Sequence, residues 1–155
     1  MDTFEILVLI VCIAVVVWVY TIKQPKEAMR YKAKKQVQTC NFIMEEIKPA
    51  LTKLLLPAPV YFREFATEFL QDMILKDENI QMATIFSLGG IQTNDTKKSI
   101  TTVALQLLAV YNKFIELYPT KKNDFTDFLQ NIRKETQMDE IVSTIVPKEY
   151  LPDNF

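Results

Sequence analysis

The side chains that could do chemistry in this chain are almost all carboxylates. None of its 155 residues is a histidine. That removes the commonest general base, the commonest metal ligand and every Ser-His or Cys-His nucleophile pair. Two cysteines, Cys12 and Cys40, are too few and too far apart to hold zinc or an iron–sulfur cluster. Two glycines, adjacent at Gly89-Gly90, cannot build a phosphate-cradling loop or a dinucleotide turn. Carboxylate chemistry would need two acids on one face. Glu45-Glu46, Asp77-Glu78 and Asp139-Glu140 are sequence neighbours, which diverge by about 100° on a helix. Glu64/Glu68 and Asp124/Asp127 do share a face at i,i+4 and i,i+3. Both pairs fall on the polar side of amphipathic segments, where solvated charge is the ordinary state. The reading is a chain that is not an enzyme, with no cofactor, no metal and no small-molecule substrate.

Short recognition motifs are equally thin. Tyr111-Asn112-Lys113-Phe114 fits a tyrosine-based sorting pattern, but it falls inside a helical segment with both rings expected in the core. Asp153-Asn154-Phe155 loosely resembles a C-terminal peptide ligand for a strand-pairing domain. Asn94-Asp95-Thr96 is a glycosylation sequon by pattern alone, a tripeptide common by chance.

The elements that must carry these residues are dominated by one run. The seventeen residues from Ile6 to Ile22 are free of charge, with Thr21 their clearly polar member. A membrane-spanning helix needs about 17–25 apolar residues, so the run is long enough, at the short end. Trp18 and Tyr20 stand near its end, where amphipathic rings settle at headgroup level. A cleaved signal peptide wants a basic start and small residues at the cleavage site. Here Asp2 and Glu5 lead, and Trp18, Tyr20, Ile22 and Lys23 fill the positions for small residues. A core helix of a soluble domain would keep a polar stripe, and this run has none.

Six cations follow within thirteen residues: Lys23, Lys26, Arg30, Lys32, Lys34 and Lys35, opposed by Glu27. With Trp18 and Tyr20 they form the expected membrane-interface set. Basic residues next to a span resist translocation. The N-terminus is therefore expected across the bilayer, and the body on the cytoplasmic-equivalent side: cytosol, matrix or virion interior. From Gln36 onward there are twelve basic against sixteen acidic residues. A basic collar under a mildly acidic body suits anionic headgroups and argues against nucleic acid, which calls for positive charge on the folded domain. Two cysteines that cannot meet agree with a reducing compartment; each reads as a small apolar packing residue.

The fold class expected is all-α: one transmembrane helix, residues 6–22, then a bundle of about four to five helices. The intended divisions are 1–5 (translocated), 6–22 (span), 23–36 (basic segment), 37–146 (bundle) and 147–155 (extended tail). A first helix opens at Pro25 and runs toward Lys48. Ala33, Val37, Cys40, Met44, Ile47, Leu51 and Leu54 alternate at spacings of four and three, a seam that packs either inside its own domain or on a partner helix. Pro49 is expected to kink or break it. Next comes an amphipathic helix from about Val60 to Lys76, with Tyr61, Phe65 and Phe69 read as core. A shorter piece from Glu78 to Leu88 stops at the double glycine. The apolar helix Lys98–Tyr118 reads as the bundle centre. Then follow a helix over 123–137 and a last short one capped by Asp139.

Two functional classes follow. One is a structural or anchoring subunit of a membrane-associated assembly, either an organellar complex or a viral protein tying an internal membrane to a capsid. Its partners are the lipid bilayer and other protein subunits. The other is a membrane-tethered adaptor that binds soluble partners through a groove between helices. The run is about 25 Å long at 1.5 Å per residue. That favours a thin membrane: endoplasmic reticulum, a viral membrane derived from it, or an organellar inner membrane.

Overall fold

Local sequence makes every described element helical. The structure, a computed structural model, describes residues 2–88 and 96–155, with side chains placed except at 22–26 and 96–99. Seven α-helices occur among them: α1 (Thr3–Trp18), α2 (Gln24–Leu55), α3 (Val60–Lys76), α4 (Glu78–Ser87), α5 (Thr96–Leu117), α6 (Thr126–Thr136) and α7 (Ile141–Ile145). A π-helical stretch, Val19–Lys23, follows α1, and 3₁₀ turns lie at Pro119–Phe125 and Lys148–Tyr150. The chain divides into two units, Met1–Gln38 and Thr39–Phe155.

The first unit holds α1, the π-helical stretch and the start of α2. Asp2 stands at the N-cap of α1, where its backbone N–H donates to the Glu5 carboxylate at 3.4 Å. Negative charge there suits the positive end of the helix dipole. No side chain of α1 is buried.

The second unit is built around α5. Its Val103, Ala104, Leu107, Leu108, Val110, Tyr111, Phe114 and Ile115 are buried, and α3, α4, α6 and α7 pack around it. α3 presents two adjacent columns at i,i+4 spacing. Phe62, Ala66, Leu70 and Ile74 are fully covered, while Phe65, Phe69 and Met73 are only partly buried against them. The Phe62 ring meets Phe125 at 4.9 Å, Phe128 at 5.2 Å, Phe114 at 5.3 Å and Tyr111 at 6.4 Å, all edge-on. Edge-to-face pairs at such distances add about 0.5–1.5 kcal/mol each beyond area burial.

Polar side chains close the helix ends. The Arg63 guanidinium donates to the carbonyls of Ala58 and Leu56, 2.9 Å each, pinning the turn between α2 and α3. Asn131 of α6 donates to the carbonyls of Lys53 and Leu54, satisfying the end of α2. Beside it Lys53 pairs with Glu135 at 2.9 Å. The Asp77 carboxylate accepts from the backbone N–H of Asn79 and Ile80 and so starts α4.

Several expectations need correction. α2 does not break at Pro49, which lies inside the helix. Burial of Ile47, Ala50, Leu51 and Leu54 on both sides of it offsets the roughly 3 kcal/mol that an interior proline costs. The seam divides: Cys40, Ile47, Leu51 and Leu54 are buried within the second unit and Met44 is partly so, but Ala33 and Val37 are exposed. Phe65 and Phe69 edge the core whose centre is Phe62. The N-cap of α7 is Glu140, not Asp139, and it makes no side-chain cap bond. The tail is not simply extended, since Lys148–Tyr150 forms a 3₁₀ turn. Pro152 is buried, and Tyr150, Leu151 and Phe155 pack on the core. Gly89, Gly90 and the sequon's Asn94 and Asp95 lie outside the described residues.

Candidate functional site

The interface residues expected from sequence belong to the first unit. Trp18 is the last residue of α1 and 52% exposed; Tyr20, in the π-helical stretch, is 65% exposed. Arg30, Lys32, Lys34 and Lys35 are exposed on α2, while the side chains of Lys23 and Lys26 lie outside the described residues. Thr21 donates its hydroxyl to the carbonyl of Val17 one turn back, so the polar member of the run satisfies itself within the helix. Thr3–Thr21 is apolar and long enough to cross a membrane. Ile100–Leu117 is also long and apolar enough to do so, but it is the central helix of the bundle, with Val103, Ala104, Leu107, Leu108, Val110, Phe114 and Ile115 buried in the core.

In the second unit several titratable groups are held in fold contacts. The Tyr61 hydroxyl donates to Asp124 at 2.9 Å; partial burial of the ring and this carboxylate push the phenol up to about 12. Tyr111, fully buried, donates to the Tyr150 carbonyl at 2.6 Å, and burial raises its phenol further. Burial likewise pushes the Cys40 thiol up; its S–H donates to the Gln71 carbonyl at 3.5 Å. Both rings of the tyrosine-based motif, Tyr111 and Phe114, are buried. The Asp153-Asn154-Phe155 motif is held by its own domain. Lys122 lies 3.1 Å from the Asp153 carboxylate, and with Asn123 it holds that carboxyl below the usual range. The Arg133 guanidinium sits 4.3 Å from the centre of the Phe155 ring. Among the described residues no group of three His, Cys, Asp or Glu side chains could hold a metal ion.

Grooves open on the body as well. One of about 450 Å³ lies between α5 and α7, with Leu105, Ile141 and Ile145 in its wall and Asp139 and Glu140 at its edge. Another of about 280 Å³ lies where α2 meets α3, beside Leu51, Leu55, Leu56 and Arg63. Sequence reasoning missed both, because a groove is set by how helices cross. The one signal available was the chemistry of Met138-Asp139-Glu140-Ile141, acids set between apolar residues.

Compared with models of known protein families, with curated proteins and with solved structures, the chain matches none.

Proposed function

We propose that the chain is a non-catalytic single-pass membrane protein, a structural or anchoring subunit of a larger membrane-associated assembly. The observation that carries this reading is α1, an apolar helix none of whose side chains the protein covers, with cations following it. Removing one Val, Leu or Ile side chain from water is worth about 1.5–3 kcal/mol. A helix carrying so many has a strong drive to leave water, and a bilayer accepts it with every backbone group already bonded. The body lies on the cytoplasmic-equivalent side, because Arg30, Lys32, Lys34 and Lys35 resist translocation. A length near 25 Å fits a thin bilayer with little tilt. Trp18 and Tyr20 sit at headgroup level, with the cations over anionic lipid. The partners are the bilayer and the other subunits of the assembly.

Integration is tested by alkaline extraction and by protease on sealed vesicles. The chain should stay with the membrane, and added protease should digest the body. A chain released by alkali, or a protected body, defeats the reading. Anchoring is tested by purification of the full chain from its native membrane through detergent and high salt. Subunits in fixed stoichiometry support it. Partners lost at high salt support the second reading, a membrane-tethered adaptor, which the open groove between α5 and α7 favours.

A further inference from the structure

Apolar surface and unpaired charge coincide at one place on the body. In the groove between α5 and α7, Leu105 is 41% exposed, Met138 47% and Ile145 37%. Asp139 and Glu140 stand exposed at its edge, and among the described residues neither carboxylate pairs with a cation. The site therefore suits a segment that is apolar on one side and basic beside it.

The same chain carries such a segment. Met29, Ala33 and Val37 recur at i, i+4 and i+8, one stripe on a helix, and all three are exposed, Met29 at 71%. Arg30 and Lys34, also exposed, stand one residue beyond Met29 and Ala33 and flank the stripe. Stripe against stripe would bring these cations onto their own likeness, which disfavours a symmetric pairing of two α2 helices. Stripe against groove sets two cations beside two carboxylates and apolar side chains beside apolar side chains.

We infer that the Met29–Val37 face of one copy seats in the α5–α7 groove of a second copy. Each copy then offers both halves of the contact: made twice about a two-fold axis it gives an isologous reciprocal pair, and made head to tail it is heterologous and closes into a ring or propagates as an array. The inference deepens the anchoring reading and rests on it for one point, that copies held in a single bilayer meet at high local concentration.

The test uses the full chain in detergent, with mass read by light scattering after gel filtration. The expected result is a mass above the monomer that falls as salt rises. Asp139→Lys with Glu140→Lys, or Arg30→Glu with Lys34→Glu, should each weaken association by about tenfold or more, and combining all four changes should restore it. That rescue separates lost contact from lost fold. In a Cys12→Ser background, copies carrying Val37→Cys should cross-link to differently tagged copies carrying Ile145→Cys. A chain monomeric at every concentration, association indifferent to both reversals, or no cross-link between the two tagged copies overturns the inference. Alkaline extraction of the same proteins from membranes reads anchoring separately. A chain that inserts but stays monomeric refutes the pairing alone, and one that associates but is extracted refutes the anchoring alone.

Discussion

At the scale of residues, Phe62 is a fully buried ring inside the aromatic cluster, and its neighbours in sequence are not equivalent to it. Phe62→Ala should cost about 3–5 kcal/mol, whereas Phe65→Ala, at a partly buried position, should cost less than about half of that. Thermal melts of the two full-length variants followed by circular dichroism would show the order; equal shifts would mean that both columns of α3 face the core. The spacing of Tyr61, Phe65 and Phe69 made that column look internal, but two adjacent columns of a helix are equally apolar here. Phe114 meets both columns, and what distinguishes the Phe62 column is Tyr111 and Phe128 on other elements, which no single-helix pattern contains. The tyrosines give a second handle. Tyr61 and Tyr111 have phenols raised above their ordinary value, Tyr61 to about 12. Their neutral forms therefore contribute stability fully present below the unfolded value near 10, and it is lost as pH rises through the folded values. Ultraviolet absorbance on alkaline titration should show Tyr61 and Tyr111 ionising late, together with loss of the fold. Tyr111 titrating near its ordinary value, with the helices intact, would contradict its burial.

At the scale of elements, the ends of helices were the hardest features to read, because they depend on groups brought from elsewhere. Val60–Lys76 was legible to the residue, since its prolines and periodicity are local. The end of α2 was not: it runs through Pro49 to Leu55 and is closed by Arg63 and Asn131 from other helices. α6 ends on Gln137, the non-glycine residue with positive φ among those described, at 55°. A left-handed residue other than glycine costs about 1–2 kcal/mol, part of which glycine gives back through greater freedom in the unfolded chain. Gln137→Gly should accordingly raise stability by up to about 1 kcal/mol, seen as a higher melting temperature. A fall instead would mean that the Gln137 side chain makes contacts worth more than the strain.

At the scale of the whole molecule, α1 was readable because composition alone defines it, and the all-α body because glycine is scarce and the apolar spacings are helical. The grooves and the closing of the tail were not readable, since each is made by segments distant in sequence: Tyr150 reaches Tyr111, and Asp153 reaches Lys122 and Asn123. Charge placement supplies a prediction at this scale. Replacing Lys32, Lys34 and Lys35 by Glu removes three of the six cations that follow the apolar run and adds three anions. The expected outcome is a mixture of orientations, measured as a protease-protected fraction of the body in sealed vesicles. Unchanged protection would place the orientation signal in Lys23, Lys26 and Arg30, or in the body itself.

The packed tail also sets an order of events during synthesis. α1 leaves the ribosome before the body does, and the body lacks Tyr150, Pro152 and Phe155 until residues 150–155 have been translated. Before then Tyr111 has no carbonyl to donate to, Arg133 has no ring to rest on, and part of the core lies open to water. Vectorial folding, domain by domain as the chain grows, is thus delayed for the body while the apolar helix is already free to be captured. A nascent chain stalled short of residue 147 should be membrane-engaged yet exchange its amide hydrogens rapidly throughout its body, and adding residues 147–155 should slow that exchange in one step.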